Sequence, residues 1–170
     1  MVAGLTWSKK GMEGARPAMQ DLGCRGQDLK DWFMDAVDRD TDAFNQVLAA
    51  MRLPRSSEAD KAARAAAIEA ANQFATQVPL DVLERSVVAA ELALGVARDG
   101  NPNSVSDAGV AGACALAAAE GAAMNVLINA PSLTDRAVAD RMVARQTELL
   151  NKAQQTAAEV RRTVHGKLAG

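Results

Sequence analysis

The segment of residues 108–126 is the part of this chain that most restricts how it folds. It is built mostly from alanine and glycine and carries one charged side chain, Glu120. A helix that is apolar on all sides is a central helix, covered by other elements all round. Small residues recur at every fourth position and allow another helix backbone to approach closely; they are Gly109, Ala113, Ala117 and Gly121. We therefore expect a helix that lies in the core and also at a subunit or domain interface.

The composition favours an all-α protein. Hydrophobic residues make up 49% of the chain and aromatic residues 3%, so the core is built from Ala, Leu, Val and Met, which suit helix packing better than sheets. No segment alternates with period two for long enough to predict a strand. Turn residues, prolines among them, separate the helical patterns, and we expect Ser57 to cap the start of the third helix and Asn129 to cap the end of the fifth. With 170 residues, the length of one domain, the sequence predicts a single-domain bundle of about six helices, at residues 1–13, 17–51, 58–77, 79–98, 105–129 and 134–168.

Charge and cysteine content argue against several classes of protein. The chain has 19 basic and 21 acidic residues, and no basic run with interleaved aromatics, so we expect no nucleic-acid partner. Uncharged runs are shorter than the roughly 20 apolar residues of a membrane span, and the start lacks the pattern of a secretory signal, so we expect no membrane. Cys24 and Cys114 are isolated, which predicts a cytoplasmic location. His165 is the only histidine, which argues against a metal site or a Ser-His-Asp triad.

The polar loop GNPNSVSDAGVA (residues 100–111) leads directly into the apolar helix and places Asp107 in its first turn. This carboxylate has two possible roles. It is either an acid favoured by the helix dipole, with Ser106 or Asn103 as the cap, or a group that does chemistry. The asparagines and serines of the loop, Asn101 among them, are also able to hold a polar ligand.

A second acidic candidate lies in the sequence VDRDTDAF (residues 37–44). Asp38 and Asp42 share one helix face and are expected to be solvated charges. Asp40 lies beside an apolar stripe, and both a solvated and a functional role remain open for it. Lys9 and Lys10 either extend into solvent or bind an anion.

Three blocks of the sequence together carry a family resemblance. They are LTWSKK (residues 5–10), VDRDTDAF with MRLP (residues 37–44 and 51–54), and GNPNSVSDAGVA with NVLIN (residues 100–111 and 125–129). In this order and spacing they resemble the cyclodeaminase domain of formiminotransferase-cyclodeaminase, a family that also includes methenyltetrahydrofolate cyclohydrolases. The resemblance covers essentially the whole chain and implies an all-helical, homodimeric folate enzyme.

The reaction implied by the resemblance is closure of 5-formiminotetrahydrofolate to 5,10-methenyltetrahydrofolate with loss of ammonia. Asp107 and Asp40 are then the catalytic carboxylates, and Lys10 holds a folate carboxylate or shuttles a proton. The implied substrate-binding residues are Lys9, Asn101, Asn103, Ser106 and Asn125. No cofactor is expected beyond the tetrahydrofolate substrate, and no metal. Two alternatives stay open: a methenyltetrahydrofolate cyclohydrolase, which uses much the same groups, and a non-catalytic helical interaction module.

The sequence departs from the family pattern in two places. The family begins with a glycine-rich loop and a first helix, which we expect to precede Met1, because the chain opens in helical sequence without a cap. Gly11 and Met12 also replace the usual basic-aromatic pair. We expect a chain that folds but has low catalytic activity.

Overall fold

The computed structural model describes residues 1–169 and is helical over nearly all of them. The helices are α1 (Val2–Trp7), α2 (Arg16–Met51), α3 (Glu58–Asp99), α4 (Val105–Asn129) and α5 (Arg136–Ala169). Short 3-10 turns lie at Glu13–Ala15, Pro102–Ser104 and Ala130–Ser132. The all-α bundle is confirmed, with five helices in place of about six.

Helix α3 is the centre of the bundle and packs against α2, α4 and α5. It begins at the predicted cap, since the Ser57 side chain accepts from the Asp60 N–H and the Asp60 side chain accepts from the Ser57 N–H. Helices α3, α4 and α5 all pack against one another, and each contributes to the main core cluster, for example through Leu83, Ala119 and Leu149.

Glycine allows α4 and α5 to approach closely. A Cβ atom added to Gly112 would lie 2.8 Å from Cγ1 of Val160 on α5, closer than real Cβ contacts come. The small residue is therefore required by this contact. Val160 is itself almost completely buried.

The predicted helix break at Pro79 is wrong, because α3 runs through this proline without interruption. Proline has no N–H to donate to the carbonyl of the residue four positions earlier, Ala75. The side-chain Nδ2 of Asn129, at the end of α4, donates to the Ala75 carbonyl oxygen at 2.8 Å instead. Asn129 was expected to cap its own helix. Its side chain instead supplies the hydrogen-bond donor that the neighbouring helix α3 lacks at Pro79, and so helps α3 to continue.

The predicted first helix is also too long. Helix α1 ends at Trp7, and the following turn contains Gly11 with a φ of 85°, a left-handed conformation that favours glycine. Regular structure resumes at Glu13 as a single 3-10 turn. Lys9 and Lys10 therefore lie in a loop.

The start of α5 is held by Glu69 on α3. Its two carboxylate oxygens accept from the backbone N–H groups of Thr134 at 2.7 Å and Asp135 at 3.3 Å. The hydrogen bond from Thr134, followed by one from the Gln73 side chain, lowers the pKa of Glu69 to about 2.

Helix α4 is central, but the expectation that it is covered on every side is wrong for the single chain. Its side away from α3 is open, and Val110, Met124 and Ile128 are 63%, 65% and 73% exposed. We call this face the outer strip; it consists of Ser106, Val110, Ala113, Ala117, Gly121, Met124 and Ile128. Of the four small residues predicted to lie in the core, Ala113 and Ala117 are exposed, while Gly109 packs against Val164 of α5.

By length and composition alone, the segment Pro102–Ser132 contains a stretch of 18 residues that is apolar enough to cross a membrane, with a mean hydropathy of 1.5. The uncharged runs within it are still shorter than about 20 residues, as expected, because Asp107 and Glu120 interrupt the segment. The central helix of a helical bundle meets the same criterion, and α4 has one side packed on α3 and α5.

Candidate active site

The chemistry-bearing residues border a groove that follows from the packing of three helices. Helices α2 and α4 both pack on α3 but scarcely touch each other, so a groove floored by α3 runs between them. Three cavities of about 380, 390 and 360 Å³ lie in a row along it, from α1 to the end of α4. We call this feature the central groove.

Asp107 lies at the end of the central groove nearest α1. Its side chain lines the first cavity together with apolar residues such as Val2 and Leu29, and the residue is half-buried. Its carboxylate makes no hydrogen bond or ion pair with any residue in the range 1–169. The N-cap position of α4 is Ser104, whose side chain makes no cap bond, so neither predicted cap, Ser106 or Asn103, is correct. Asp107 is thus a half-buried carboxylate without a partner in the described chain, at a helix start whose dipole favours negative charge.

Asn101 ties α1 to the start of α4. Its Oδ1 accepts from Lys9 Nζ at 2.7 Å and from the Asn103 N–H at 3.1 Å, and its own N–H donates to Thr6 Oγ1 at 2.8 Å. These bonds place the Lys9 ammonium beside the polar loop that leads to Asp107. The neighbouring Lys10 is exposed in the turn after α1.

The other end of the central groove contains Asp40 and Asn125, which line the second cavity together with apolar walls that include Phe33 and Pro79. Asp40 also borders the third cavity, where Asn129 lies. Asp40 is exposed, in contrast to the half-buried Asp107. This end therefore combines an exposed carboxylate, two amides and an apolar wall.

The structure divides the predicted site into two groups. Asp107 and Asn125 face the same side of α4, since eighteen positions are five helical turns, but they lie about 27 Å apart along the axis. A general acid or base must come within about 3 Å of the atom it serves, or reach it through one water. Asp107 and Asp40 therefore cannot both act on one carbon atom within a single chain. Asn103 and Ser106 are exposed and line none of the three cavities.

Sequence reasoning missed two polar residues of the third cavity. Asn72 of α3 donates from Nδ2 to the backbone carbonyl of Ser132 at 3.1 Å, and both residues line this cavity with Asp40. No local signal marks them, because they meet Asp40 only when α2, α3 and the turn after α4 are packed together. Over residues 1–169, no group of three or more His, Cys, Asp or Glu side chains is placed to hold a metal ion.

Comparisons with known proteins identify the family. The sequence matches the model of the formiminotransferase-cyclodeaminase family over residues 1–148. The chain belongs to this family. A solved structure of formiminotetrahydrofolate cyclodeaminase from Thermotoga maritima superposes with a TM-score of 0.87 and 26% identity, over 98% of this chain and 79% of that chain. The all-α fold of a formiminotransferase-cyclodeaminase family member is thereby confirmed.

Two relatives of this chain have different enzyme names. Methenyltetrahydrofolate cyclohydrolase of Methylorubrum extorquens is 35% identical over 168 residues, which cover 99% of this chain and 81% of the relative. Formimidoyltransferase-cyclodeaminase of Sus scrofa is 36% identical over 124 residues, 73% of this chain and 23% of the relative. This chain therefore spans about a quarter of the pig protein. It is an enzyme of the folate cyclodeaminase and cyclohydrolase family.

Proposed function

We propose that this protein acts on the one-carbon bridge between N5 and N10 of tetrahydrofolate, with the reacting carbon at the Asp107 end of the central groove. The observation that carries the proposal is the unpartnered, half-buried carboxylate of Asp107 in a largely apolar cavity next to the Lys9 loop. The exposed Asp40 lies too far along the groove to touch the same carbon. Its proposed role is to contact a remote part of the folate.

Asp107 is suited to both reactions known under the family name. In hydrolysis, water adds to the cationic methenyl carbon, Asp107 accepts the proton of that water, and the bond to one bridging nitrogen then breaks as this nitrogen is protonated. In cyclodeamination, N10 attacks the formimino carbon, Asp107 accepts the N10 proton, and ammonia departs after protonation. The methenyl species is a cation in both cases, so a nearby carboxylate also stabilises its charge.

Hydrolysis of 5,10-methenyltetrahydrofolate is the first candidate reaction. It is supported by the M. extorquens cyclohydrolase, whose similarity extends over almost the entire chain. Cyclodeamination of 5-formiminotetrahydrofolate is the second candidate, supported by the fold shared with the T. maritima cyclodeaminase. Neither candidate requires a metal or a cofactor beyond the folate.

The deciding experiment offers both substrates to the purified protein. Loss of methenyl absorbance measures hydrolysis, and methenyl formation together with ammonia release measures cyclodeamination. A binding titration with 5-formyltetrahydrofolate, a stable reduced folate, separates a slow enzyme from a protein that does not recognise folate. Turnover of neither substrate, with no folate binding, would overturn the proposal in favour of a helical interaction module.

We also propose that the protein is a cytoplasmic homodimer that pairs through the outer strip of α4. The strip is apolar, and its middle consists of small residues. Its positions are spaced symmetrically on either side of Ala117. Two copies placed antiparallel would set Ala117 against itself and Val110 against the partner's Met124. Large apolar side chains would then meet at the ends while the backbones approach in the middle.

A further inference from the structure

A cavity of about 440 Å³ lies between α4 and α5, separate from the central groove. Its α4 wall includes Gly109 and Ala113, and its α5 wall includes Ala157 and Val164. Gly109 is two positions after Asp107, which turns it about 200° around the helix axis. The cavity therefore opens on the opposite flank of α4 from the proposed catalytic carboxylate.

The polar groups of this cavity are cationic or neutral. Arg161 and His165 are one helical turn apart on α5, and Gln154 lies further along the same face. None of the three makes a hydrogen bond or ion pair with another residue in the range 1–169, and no acidic side chain lines the cavity. The wall opposite them is apolar.

Two other basic side chains of α5 have acidic partners on α3. Arg145 pairs with Glu84 on α3, and Lys152 pairs with Glu91. Arg161 lies on the same helix as Arg145 and Lys152 but has no such partner within the described part of the chain. Its guanidinium is available to an anion that enters the cavity.

The cavity thus combines a guanidinium on α5 that is unpaired within residues 1–169 with a wall of small apolar residues on α4. We propose that it binds a small anion with a flat apolar body, an aromatic carboxylate in chemical terms. The planar guanidinium of Arg161 matches the two oxygens of a carboxylate, and the small apolar residues of α4 accommodate the ring. The volume lies within the range of about 300–1,000 Å³ typical of small-molecule sites.

The test is a calorimetric titration of the full chain with 2-naphthoate and with its neutral analogue 2-naphthamide. We expect the wild-type protein to bind the naphthoate at least about tenfold more tightly than the amide, because a charge-assisted hydrogen bond is lost with the charge. Arg161→Gln should remove this preference. Arg162→Gln is the matched control, since Arg162 is exposed on the same helix but does not line the cavity.

A second variant tests the position of the site without removing a charge. Ala158→Leu places a larger side chain at the α5 wall of the cavity, at a half-buried position outside the outer strip, and should abolish binding of both probes. Unchanged naphthoate binding in either Arg161→Gln or Ala158→Leu would overturn the proposal. So would wild-type protein that binds neither probe. Because these probes are not folates, the outcome is independent of the proposed folate chemistry.

Discussion

The hydrogen bond from Asn129 to Ala75 makes a quantitative prediction about how α3 passes through Pro79. Replacing Asn129 by Ala removes the donor at 2.8 Å and leaves the partly buried Ala75 carbonyl without a partner. An unsatisfied buried acceptor costs about 1–3 kcal/mol. We therefore expect Asn129→Ala to lower the free energy of unfolding by this amount.

The same substitution should cost much less in combination with Pro79→Ala. Position 79 then carries an N–H that donates to the Ala75 carbonyl through the normal helical bond, so Asn129 is no longer required as a donor. The residual cost of Asn129→Ala should fall below about 1 kcal/mol, which gives a coupling energy of about 1–2 kcal/mol between the two positions.

The assay is urea denaturation of the wild type, both single variants and the double variant, followed by circular dichroism. The slope of unfolding free energy against urea concentration should be the same in all four, so that differences in midpoint report stability. An equal loss of stability from Asn129→Ala in the wild-type protein and in the Pro79→Ala variant would contradict a role of Asn129 as the substitute donor. It would show that Asn129 stabilises the protein by some route other than the Ala75 carbonyl.

Three further predictions concern packing, pH and assembly. Gly112→Ala should destabilise the protein by up to about 2 kcal/mol in urea denaturation, since overpacking costs roughly 1–3 kcal/mol and the better helix propensity of alanine returns about 1 kcal/mol. Gly26→Ala is the control; because this glycine has open space around it, the substitution should stabilise the protein by up to about 1 kcal/mol. A change of the same sign in both variants would contradict the close approach of α4 and α5. The depressed pKa of Glu69, about 2 against an ordinary 4.5, means that its stabilisation is present above pH 4.5 and is lost as the pH falls towards 2. Acid titration of Glu69→Gln should therefore show a flatter loss of stability over this interval, and an unchanged profile would exclude this carboxylate as a cause. Ala117→Arg should convert the proposed dimer to a monomer in sedimentation analysis without loss of helix content, and an unchanged mass would rule out pairing through the outer strip.

Local sequence patterns predicted the helical architecture well, because helix periodicity and turn chemistry are local properties. Ser57 was recognised as a cap, and the capping box at the start of α3 confirms it. The break at Pro79 failed because the compensating donor, Asn129, lies fifty positions away and meets Ala75 only in the folded protein. The end of α1 was missed because the residue types allow the helix to continue to residue 13. The structure has a turn there, with Gly11 in a left-handed conformation.

The candidate site was less accessible to sequence reasoning. Asp107 and Asn125 were correctly associated with α4, but their spacing along a straight helix places them at opposite ends of the central groove. Their separation follows from helix length once α4 is known to be continuous. Other members of the site, Asn72 and Ser132, come together only through packing of distant segments and carry no local signal.

We assign the one-carbon chemistry to Asp107 and not to Asp40. The most direct measurement is kcat/KM of Asp107→Asn and Asp40→Asn, side by side with the wild type, on whichever folate substrate the wild type turns over. Thermal melts accompany both variants, because removing the charge of Asp107 from the first turn of α4 should itself cost no more than about 1 kcal/mol. We expect kcat/KM to fall on the order of 100-fold or more in Asp107→Asn and by less than about tenfold in Asp40→Asn. Near wild-type activity in Asp107→Asn, or a larger loss in Asp40→Asn, would contradict this assignment and place the reaction at the other end of the groove.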